Sequence, residues 1–150
     1  MKKGSSKLLL LDVNVLLALA WPNHPFHEAA LRRLETSRDR WATCAITQLG
    51  FVRLSSTPAV VGVAKSPAEA ASLLVALVSD PLHSYLDTLP APVAGEFIGT
   101  FDQLMGAKQV TDAYLVFLAR KHDAILLTFD TRLKNIPGAD SATEIMLANP

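Results

Sequence analysis

Three aspartates stand where predicted strands and helices meet. Asp12 follows the apolar run LLLL, Asp130 follows ILLTF, and Asp112 lies in the first turn of a helix predicted to begin at Thr111. In a parallel sheet the carboxyl ends of the strands meet at one edge, where ligands bind. If the two apolar runs form neighbouring strands, all three carboxylates converge there. Converging carboxylates repel one another and raise one another's pKa unless a cation neutralises them.

The expected cation follows from the chemistry of the ligands. Carboxylate oxygens are hard ligands, and no set of cysteines and histidines accompanies them, so the aspartates favour Mg²⁺ or Mn²⁺ over zinc. His24 and His27 have a ligand-like spacing, but Pro25 separates them and no cysteine is near, which indicates surface or helix-start residues. Each aspartate alone is also explained as a helix N-cap, worth about 0.5–2 kcal/mol. That explanation weakens when three meet at one edge.

The elements that must position these carboxylates alternate along the chain. Strands are predicted at 7–11, 41–46, 83–87, 124–130 and 142–147. Helices are predicted at 13–20, 24–37, 66–78 and 110–123, from Thr47 onward, and over much of 90–106. Alternating strands and helices predict an α/β fold with a mainly parallel central sheet flanked by helices. We expect one domain over 1–150, with 1–6 as a flexible N-terminal tail.

The start of the chain also resembles a secretory signal, because lysines precede the apolar stretch LLLLDVNVLLALAWP. An aspartate at the centre of an inserting helix costs about 2.5–3.5 kcal/mol, however, and a membrane span needs about 20 apolar residues. The single cysteine, Cys44, cannot form an internal disulfide. We therefore expect a cytoplasmic protein without a membrane segment. Fourteen acidic and fourteen basic residues cancel, so any contact with nucleic acid depends on local patches or bound metal.

Three segments carry a resemblance to a known family. They are LLLLDVNVLLALAWPNHPFH, WATCAITQLGFVRLSS and VTDAYLVFLARKHDAILLTFD, which follow one another from residue 8 to about residue 136. Together they resemble the PIN-domain ribonucleases, in particular the VapC toxins of bacterial toxin–antitoxin pairs. The resemblance implies an Mg²⁺- or Mn²⁺-dependent endoribonuclease that acts on RNA and is held inactive by a VapB-type antitoxin. A homodimer is also expected.

The resemblance assigns roles position by position. Asp12, Asp112 and Asp130 match three acidic positions of the family, which implies that they are catalytic and bind the metal. Asn14 fits the family's D-x-N pattern, and Thr128 matches the hydroxyl residue that commonly precedes the last acid by two positions. These two residues are therefore expected to support the site.

Gln48 departs from the family pattern. It stands in ITQLGFVRL, where the family usually has the dipeptide T-E and a further catalytic acid. Glutamine keeps an acceptor oxygen but carries no charge and cannot act as a base. A native but weaker site, a naturally compromised nuclease and an engineered inactivation remain open. The alternative function is a PIN-like domain, weakened or inactive in catalysis, that binds RNA or an antitoxin without cutting.

Basic residues are candidates for contacts with RNA or an antitoxin. Arg53 follows the Gln48 segment, and Arg32 lies on the second predicted helix beside Arg33. Contacts to phosphate position a nucleic acid without reading its sequence, so these residues say nothing about which RNA is cut. For Arg32 and Arg33 a solvated helix face is the favoured interpretation.

Two other enzyme classes share part of the first motif. LLLLDVN also resembles the phospho-acceptor strand of receiver domains and the first motif of haloacid-dehalogenase phosphatases. A receiver needs an acidic pair on an earlier strand, but only eleven residues precede Asp12. The phosphatase pattern is D-x-D, whereas this chain has D-x-N. Neither class explains VTDAYL together with TFD.

Overall fold

Strands and helices alternate along residues 7–147, the part of the chain that the computed structural model describes. The predicted tail at 1–6 lies outside the described residues. The strands are β1 (Leu8–Leu11), β2 (Trp41–Cys44), β3 (His83–Leu86), β4 (Ala124–Thr128) and β5 (Thr143–Ile145). The α-helices are α1 (Val13–Ala20), α2 (His27–Ser37), α3 (Ala45–Ser55), α4 (Pro58–Val61), α5 (Pro67–Leu77) and α6 (Val110–Lys121). Short 3-10 turns occupy Ile98–Gln103, Ala107–Gln109, Thr131–Asn135 and Ala139–Ser141.

The five strands form one sheet in the order β3-β2-β1-β4-β5, and every described pairing is parallel. This confirms the predicted α/β fold and parallel sheet. The central strand β1 pairs with β4 from Leu8↔Ala124 to Leu11↔Leu127, so the two strands end level with each other. Their ends define the C-terminal edge of the sheet, where Asp12 and the residues after β4 emerge.

The four leucines of β1 separate two layers of apolar packing. Because side chains alternate along a strand, Leu10 faces one layer, and Leu9 and Leu11 face the other. The first layer is built largely on α6, and the second on α1 and α3. Fully burying one such leucine contributes about 1.5–3 kcal/mol. A strand buried on both faces explains the unbroken apolar run that fixes β1 at the centre.

A glycine allows α3 to pack against the start of α1, directly beside Asp12. A Cβ atom at Gly50 would lie 2.7 Å from Cγ2 of Val13, closer than ordinary van der Waals contact. Val13 is the first residue of α1, so this contact restrains the turn that Asp12 begins. None of the helices in residues 7–147 is long and apolar enough to cross a membrane.

Two helices begin before the threonine at which each was predicted to start. The third helix begins at Ala45 and not after Thr47, which shortens β2 to end at Cys44. Thr47 still acts on the N-terminus, because its hydroxyl accepts a hydrogen bond from the Cys44 amide at 3.0 Å. Likewise, α6 begins at Val110, so Thr111 lies inside its first turn and is not the cap. In both cases a threonine typical of caps stands within the helix it was expected to precede.

The helix predicted over much of 90–106 is also wrong. Only the 3-10 turn Ile98–Gln103 forms there, and Phe97, just before it, is fully buried among the rings of Tyr114 and Phe117. Burial of one aromatic anchor therefore organises this segment, rather than helical periodicity. The helix predicted at 24–37 begins three residues later, at His27.

A capping box begins α5, as the sequence S-P-A-E at residues 66–69 indicates. The Ser66 hydroxyl accepts from the Glu69 amide at 3.1 Å, and the Glu69 carboxylate accepts from the Ser66 amide at 2.8 Å. This reciprocal pair satisfies two amide donors that a helix start otherwise leaves free.

Arg33 ties α2 to the edge strand β5, contrary to its interpretation as part of a solvated helix face. Its guanidinium donates twice to Glu144, from Nε at 2.6 Å and from Nη2 at 2.9 Å. Nη1 also lies 3.3 Å from Asp39. Two-pronged contacts between arginine and a carboxylate are stronger and more directional than single hydrogen bonds. Arg33 therefore holds β5, which has only three residues, against the domain.

We expect Glu144→Gln to lower the free energy of unfolding by about 1 kcal/mol, since it neutralises a two-pronged but partly exposed ion pair. Urea denaturation of the purified protein measures this change. The matched control is Asp123→Asn, which neutralises the more exposed pair between Lys7 and Asp123. Equal losses in the two variants would contradict a structural role for the contact between Arg33 and Glu144.

Candidate active site

Asp12 joins the end of β1 to the start of α1 and is almost fully buried, with 7% of its surface exposed. Its amide continues the sheet by donating to the Leu127 carbonyl at 2.9 Å. As predicted for an N-cap, one carboxylate oxygen accepts from the Val13 amide at 2.8 Å. The other oxygen accepts from the Thr128 hydroxyl at 2.8 Å. Both oxygens are therefore fixed by the two neighbouring strand ends.

Thr128 links three polar groups at the C-terminal edge. Its hydroxyl donates to Asp12 and accepts from the Asn14 side-chain amide at 3.2 Å and the Asp130 backbone amide at 3.1 Å. Asn14 in turn accepts from the Phe129 amide at 3.3 Å. A hydroxyl has one proton and two lone pairs, and all three are used here. Asn14 and Thr128 therefore lie where the sequence placed them, beside the candidate acid.

Burial sets the electrostatics of Asp12. Removal from water raises the pKa of its carboxyl above the ordinary value, and the nearby charge of Asp130 adds to that rise. The hydrogen bonds from Thr128 and Val13 act in the opposite direction, because they favour the ionised form. A buried carboxyl held by donors and facing another acid is arranged to gain from a positive partner.

Asp112 is brought to the same edge by the first turn of α6. Burial, together with the charges of Asp12 and Asp130, raises its pKa from 3.8 to about 6. Charges act on each other over short range only, so this mutual effect places the three acids in one electrostatic cluster. The sequence predicted this convergence of residues that are far apart along the chain.

Asp130 is paired with an arginine that the sequence analysis did not single out. Arg132 donates from Nε to Oδ1 at 2.9 Å and from Nη2 to Oδ2 at 2.8 Å. These bonds lower the pKa of Asp130 below its usual value. The signal for this contact was a basic residue two positions after the last acid, in TFDTR. The Arg132 side chain is 73% exposed, so its position is held mainly by Asp130.

The carboxylates of Asp12 and Asp130 are each held by their own hydrogen-bond partners, which keeps the acids apart. Among residues 7–147, no three carboxylate, imidazole or thiol groups form a ready-made metal site. Both oxygens of Asp130 face Arg132, and both oxygens of Asp12 are engaged by Thr128 and Val13. The donor chemistry nevertheless fits a divalent cation, because the charge of Asp130 raises the pKa of both other acids and, among the described residues, only Asp130 of the three forms an ion pair.

Gln48 is bonded to a neighbouring strand and not to the acids. Its side-chain amide donates to the Thr43 hydroxyl at 3.0 Å, and that hydroxyl lies 2.8 Å from Nε2 of His83. Thr43 is fully buried in β2, whereas Gln48 is only partly buried. Thr43 and His83 were not recognised as partners of this position in the sequence. An amide can donate this hydrogen bond, whereas an ionised glutamate cannot.

The two candidate contact arginines lie apart from the acids. Arg53 is exposed near the C-terminal end of α3. Arg32 is exposed on α2, where it lines a shallow apolar cleft of about 400 Å³ with Met146 and Leu147. Neither belongs to the hydrogen-bonded network around Asp12.

Comparison with known proteins decides the family. The profile described as "PIN domain" matches residues 9–139, most of the chain. The chain belongs to the PIN-domain family. It is also 42% identical over 136 residues to Ribonuclease VapC39 of Mycobacterium tuberculosis H37Rv, covering 89% of this chain and 93% of that protein. Ribonuclease VapC44 of the same strain is 41% identical over 133 residues, covering 87% of this chain and 92% of that protein.

A third similar protein extends the match. Ribonuclease VapC38 of Mycobacterium tuberculosis H37Rv is 41% identical over 125 residues, covering 82% of this chain and 85% of that protein. This PIN domain therefore stands with the VapC ribonucleases, as the three quoted motifs predicted. The PIN-domain profile, which matches residues 9–139, includes Asp12, Asp112 and Asp130 in one continuous region.

The raised pKa of Asp112 gives the metal-free PIN domain a pH-dependent stability. The unfolded chain protonates this carboxyl near pH 3.8 and the folded chain near pH 6, so the folded state binds more protons between these values. The stabilisation from the neutral form is complete below pH 3.8 and is lost as pH rises through about 6. We expect Asp112→Asn, which stays neutral, to gain stability relative to wild type over this window. Urea unfolding in EDTA measures the difference, and a difference independent of pH would contradict the assignment.

Proposed function

We propose that this PIN domain is a divalent-metal-dependent endoribonuclease toxin that hydrolyses phosphodiester bonds in RNA. The observation that supports the proposal is the electrostatic coupling at one sheet edge, where the charges of Asp12 and Asp130 raise the pKa of Asp112. The similar proteins named ribonucleases support the choice of RNA as substrate. Perturbed carboxyls that face one another at a strand edge favour cation binding over a purely structural role.

Asp12, Asp112 and Asp130 are the residues that would hold Mg²⁺ or Mn²⁺. When bound there, such an ion supplies a water of lowered pKa and offsets negative charge on the phosphate. The chain's own contribution is to fix the acids. Thr128 and Asn14 hold the Asp12 carboxylate in one orientation through the hydrogen bonds described above. Asp112 can take up or release a proton within about one pH unit of neutrality, since its pKa is about 6.

Arg132 is the cation nearest to these acids that can change partners. Its side chain is exposed, and its hydrogen bonds all go to Asp130. A phosphate group presents the same two-oxygen edge as a carboxylate, so a guanidinium binds either. We propose that Arg132 passes from Asp130 to the RNA backbone when the acids bind their cation.

The partners and location are proposals on the same footing. We propose a VapB-type antitoxin as inhibitor, a homodimer as the functional assembly and the cytoplasm as the compartment. Arg53 and Arg32 are the proposed contacts to RNA or antitoxin, because both are exposed. The one cysteine of the chain, Cys44, is buried and free, which is compatible with a reducing compartment.

A second function is favoured by one observation, the engagement of Gln48 with Thr43. The Gln48 side-chain amide donates to the buried hydroxyl of Thr43, and it adds no negative charge to the acidic edge. On this alternative the domain binds RNA or an antitoxin without cutting. The retained acids Asp12, Asp112 and Asp130 favour the nuclease.

We expect Asp112→Asn to lower the rate of RNA cleavage by more than about 100-fold, because it removes a charged ligand from metal-assisted hydrolysis. The measurement follows cleavage of total RNA by the purified protein with Mn²⁺ or Mg²⁺, and again after excess EDTA. Asp102→Asn is the matched control, since it neutralises an exposed aspartate in a 3-10 turn. Cleavage that continues at the wild-type rate both in excess EDTA and in the Asp112→Asn variant would exclude the proposed mechanism.

Gln48→Glu separates the two candidate functions. The added charge is expected to tighten Mn²⁺ binding, measured by calorimetry, and to speed cleavage in the same RNA assay. Gln103→Glu makes the same charge change at an exposed position and serves as control. Cleavage by both wild type and the Gln48 variant supports the nuclease. Cleavage by the glutamate form alone assigns the natural chain to the binding alternative.

A further inference from the structure

The loop between α1 and α2 places an aromatic cluster beside the acidic edge. The rings of Phe26 and Phe129 are stacked, with centroids 4.1 Å apart and planes 16° apart. The His24 ring lies 5.9 Å from Phe26 and 6.4 Å from Phe129, between centroids. Phe129 directly precedes Asp130, and its amide is held by Asn14. Through Phe129, the cluster is therefore one residue along the chain from Asp130.

The His24 ring has a fixed orientation, and its second nitrogen is a hydrogen-bond donor. The Phe26 amide donates to Nδ1 of His24 at 3.0 Å, so Nδ1 accepts and the ring proton is on Nε2. Burial, together with the neighbouring His27, lowers the pKa of His24. The imidazole is therefore neutral near pH 7, which favours stacking and leaves Nε2–H as a hydrogen-bond donor. A surface or helix-start histidine, as the sequence indicated, needs neither restraint.

A cavity of about 350 Å³ opens beside His24. Trp21, Asn23 and His24 line one part of it, and Val60 and Val61 of α4 line another. The volume lies within the range of about 300–1,000 Å³ that is typical of small-ligand pockets. All of its lining residues belong to the described chain, and none of them is a carboxylate.

The chemistry around the cavity matches a nucleotide. Trp21 is fixed by a hydrogen bond from Nε1 to the Ser55 hydroxyl at 3.1 Å. The Lys65 ammonium lies 5.4 Å from the centroid of the Trp21 ring, so a positive charge stands next to the aromatic surface. Single-stranded nucleic acids are bound in this way, by aromatic rings that stack on bases and cations that contact phosphates. A cavity that bound an apolar side chain of a partner protein would need neither the cation nor the polar donors.

We propose that this cavity binds the base of a nucleotide that flanks the cleaved phosphate in single-stranded RNA. His24 and Trp21 supply the stacking surfaces, Asn23 supplies hydrogen-bonding groups, and Lys65 contacts the backbone. His24 is thus a substrate-positioning residue that holds RNA near Asp130 without touching the reacting phosphate. The proposal rests on the proposed function for the identity of its ligand, but it is tested by binding alone.

Tryptophan fluorescence provides the test. The chain has two tryptophans, and Trp41 is shielded, with 1% of its surface exposed. A short mixed-sequence single-stranded RNA, added in excess EDTA, should therefore quench Trp21. An abasic ribose-phosphate chain of equal length carries the same charge without bases and should quench little. Trp21→Phe should remove the signal.

Affinity in variants identifies the stacking residue. Stacking on an aromatic ring is worth about 1–3 kcal/mol per base, so His24→Ala should weaken RNA binding by about 5- to 100-fold. His24→Phe keeps a ring and should recover most of the affinity. The control His122→Ala removes a half-buried histidine that follows α6 and precedes β4, at the opposite edge of the sheet. Thermal unfolding by circular dichroism checks that each variant is folded.

The outcomes separate this proposal from the proposed function. Equal quenching by RNA and the abasic chain, or equal affinity of wild type and a folded His24→Ala, overturns the base pocket even if the protein cleaves RNA. Base-dependent quenching without metal-dependent cleavage supports the pocket and rejects the nuclease. Quenching of Trp21 by an antitoxin, with none by RNA, assigns the cavity to a protein partner and overturns the proposal.

Discussion

The hydrogen bond from Thr128 to Asp12 is the contact on which the acidic edge depends. It exists because β1 and β4 end level with each other, so residues 116 positions apart become neighbours. The same hydroxyl orders the backbone after β4 through Asp130 and the start of α1 through Asn14. A buried carboxylate is costly in an apolar sheet unless donors meet it. The strand register supplies those donors.

The centre of the fold could be predicted because its signals are strong and local. The apolar runs that became β1 and β4 are buried on both faces, and the capping box before α5 has a definite residue spacing. Helix starts at α3 and α6 were misplaced because threonine at 47 and 111 has the composition of a cap but lies inside the first turn. The segment before α6 failed for a different reason. Its conformation depends on burial of Phe97, a long-range contact with no periodic signature.

The position of the three acids at one edge could be predicted from the sequence, but their hydrogen-bond partners could not. Asp12 and Asp130 follow strands whose carboxyl ends meet, and Asp112 joins them because α6, which leads into β4, begins at the same edge. The pairing of Gln48 with Thr43 depends on side-chain rotamers, which sequence patterns do not determine. The ring cluster at His24 required knowledge that the loop after α1 folds back onto Phe129. The spacing of residues along the chain does not indicate that contact.

The guanidinium of Arg132 gives the acidic edge an internal counter-ion. The folded chain therefore does not hold three uncompensated charges when no metal is bound, and it can persist in that state. A cation that bound Asp130 would compete with this arginine, so its affinity would measure the difference between the two partners. Competition from Arg132 would lower the apparent affinity of the edge for a cation by a fixed factor, without changing the shape of the binding curve. The stability of the fold and its affinity for a cation are therefore separate properties of the same edge.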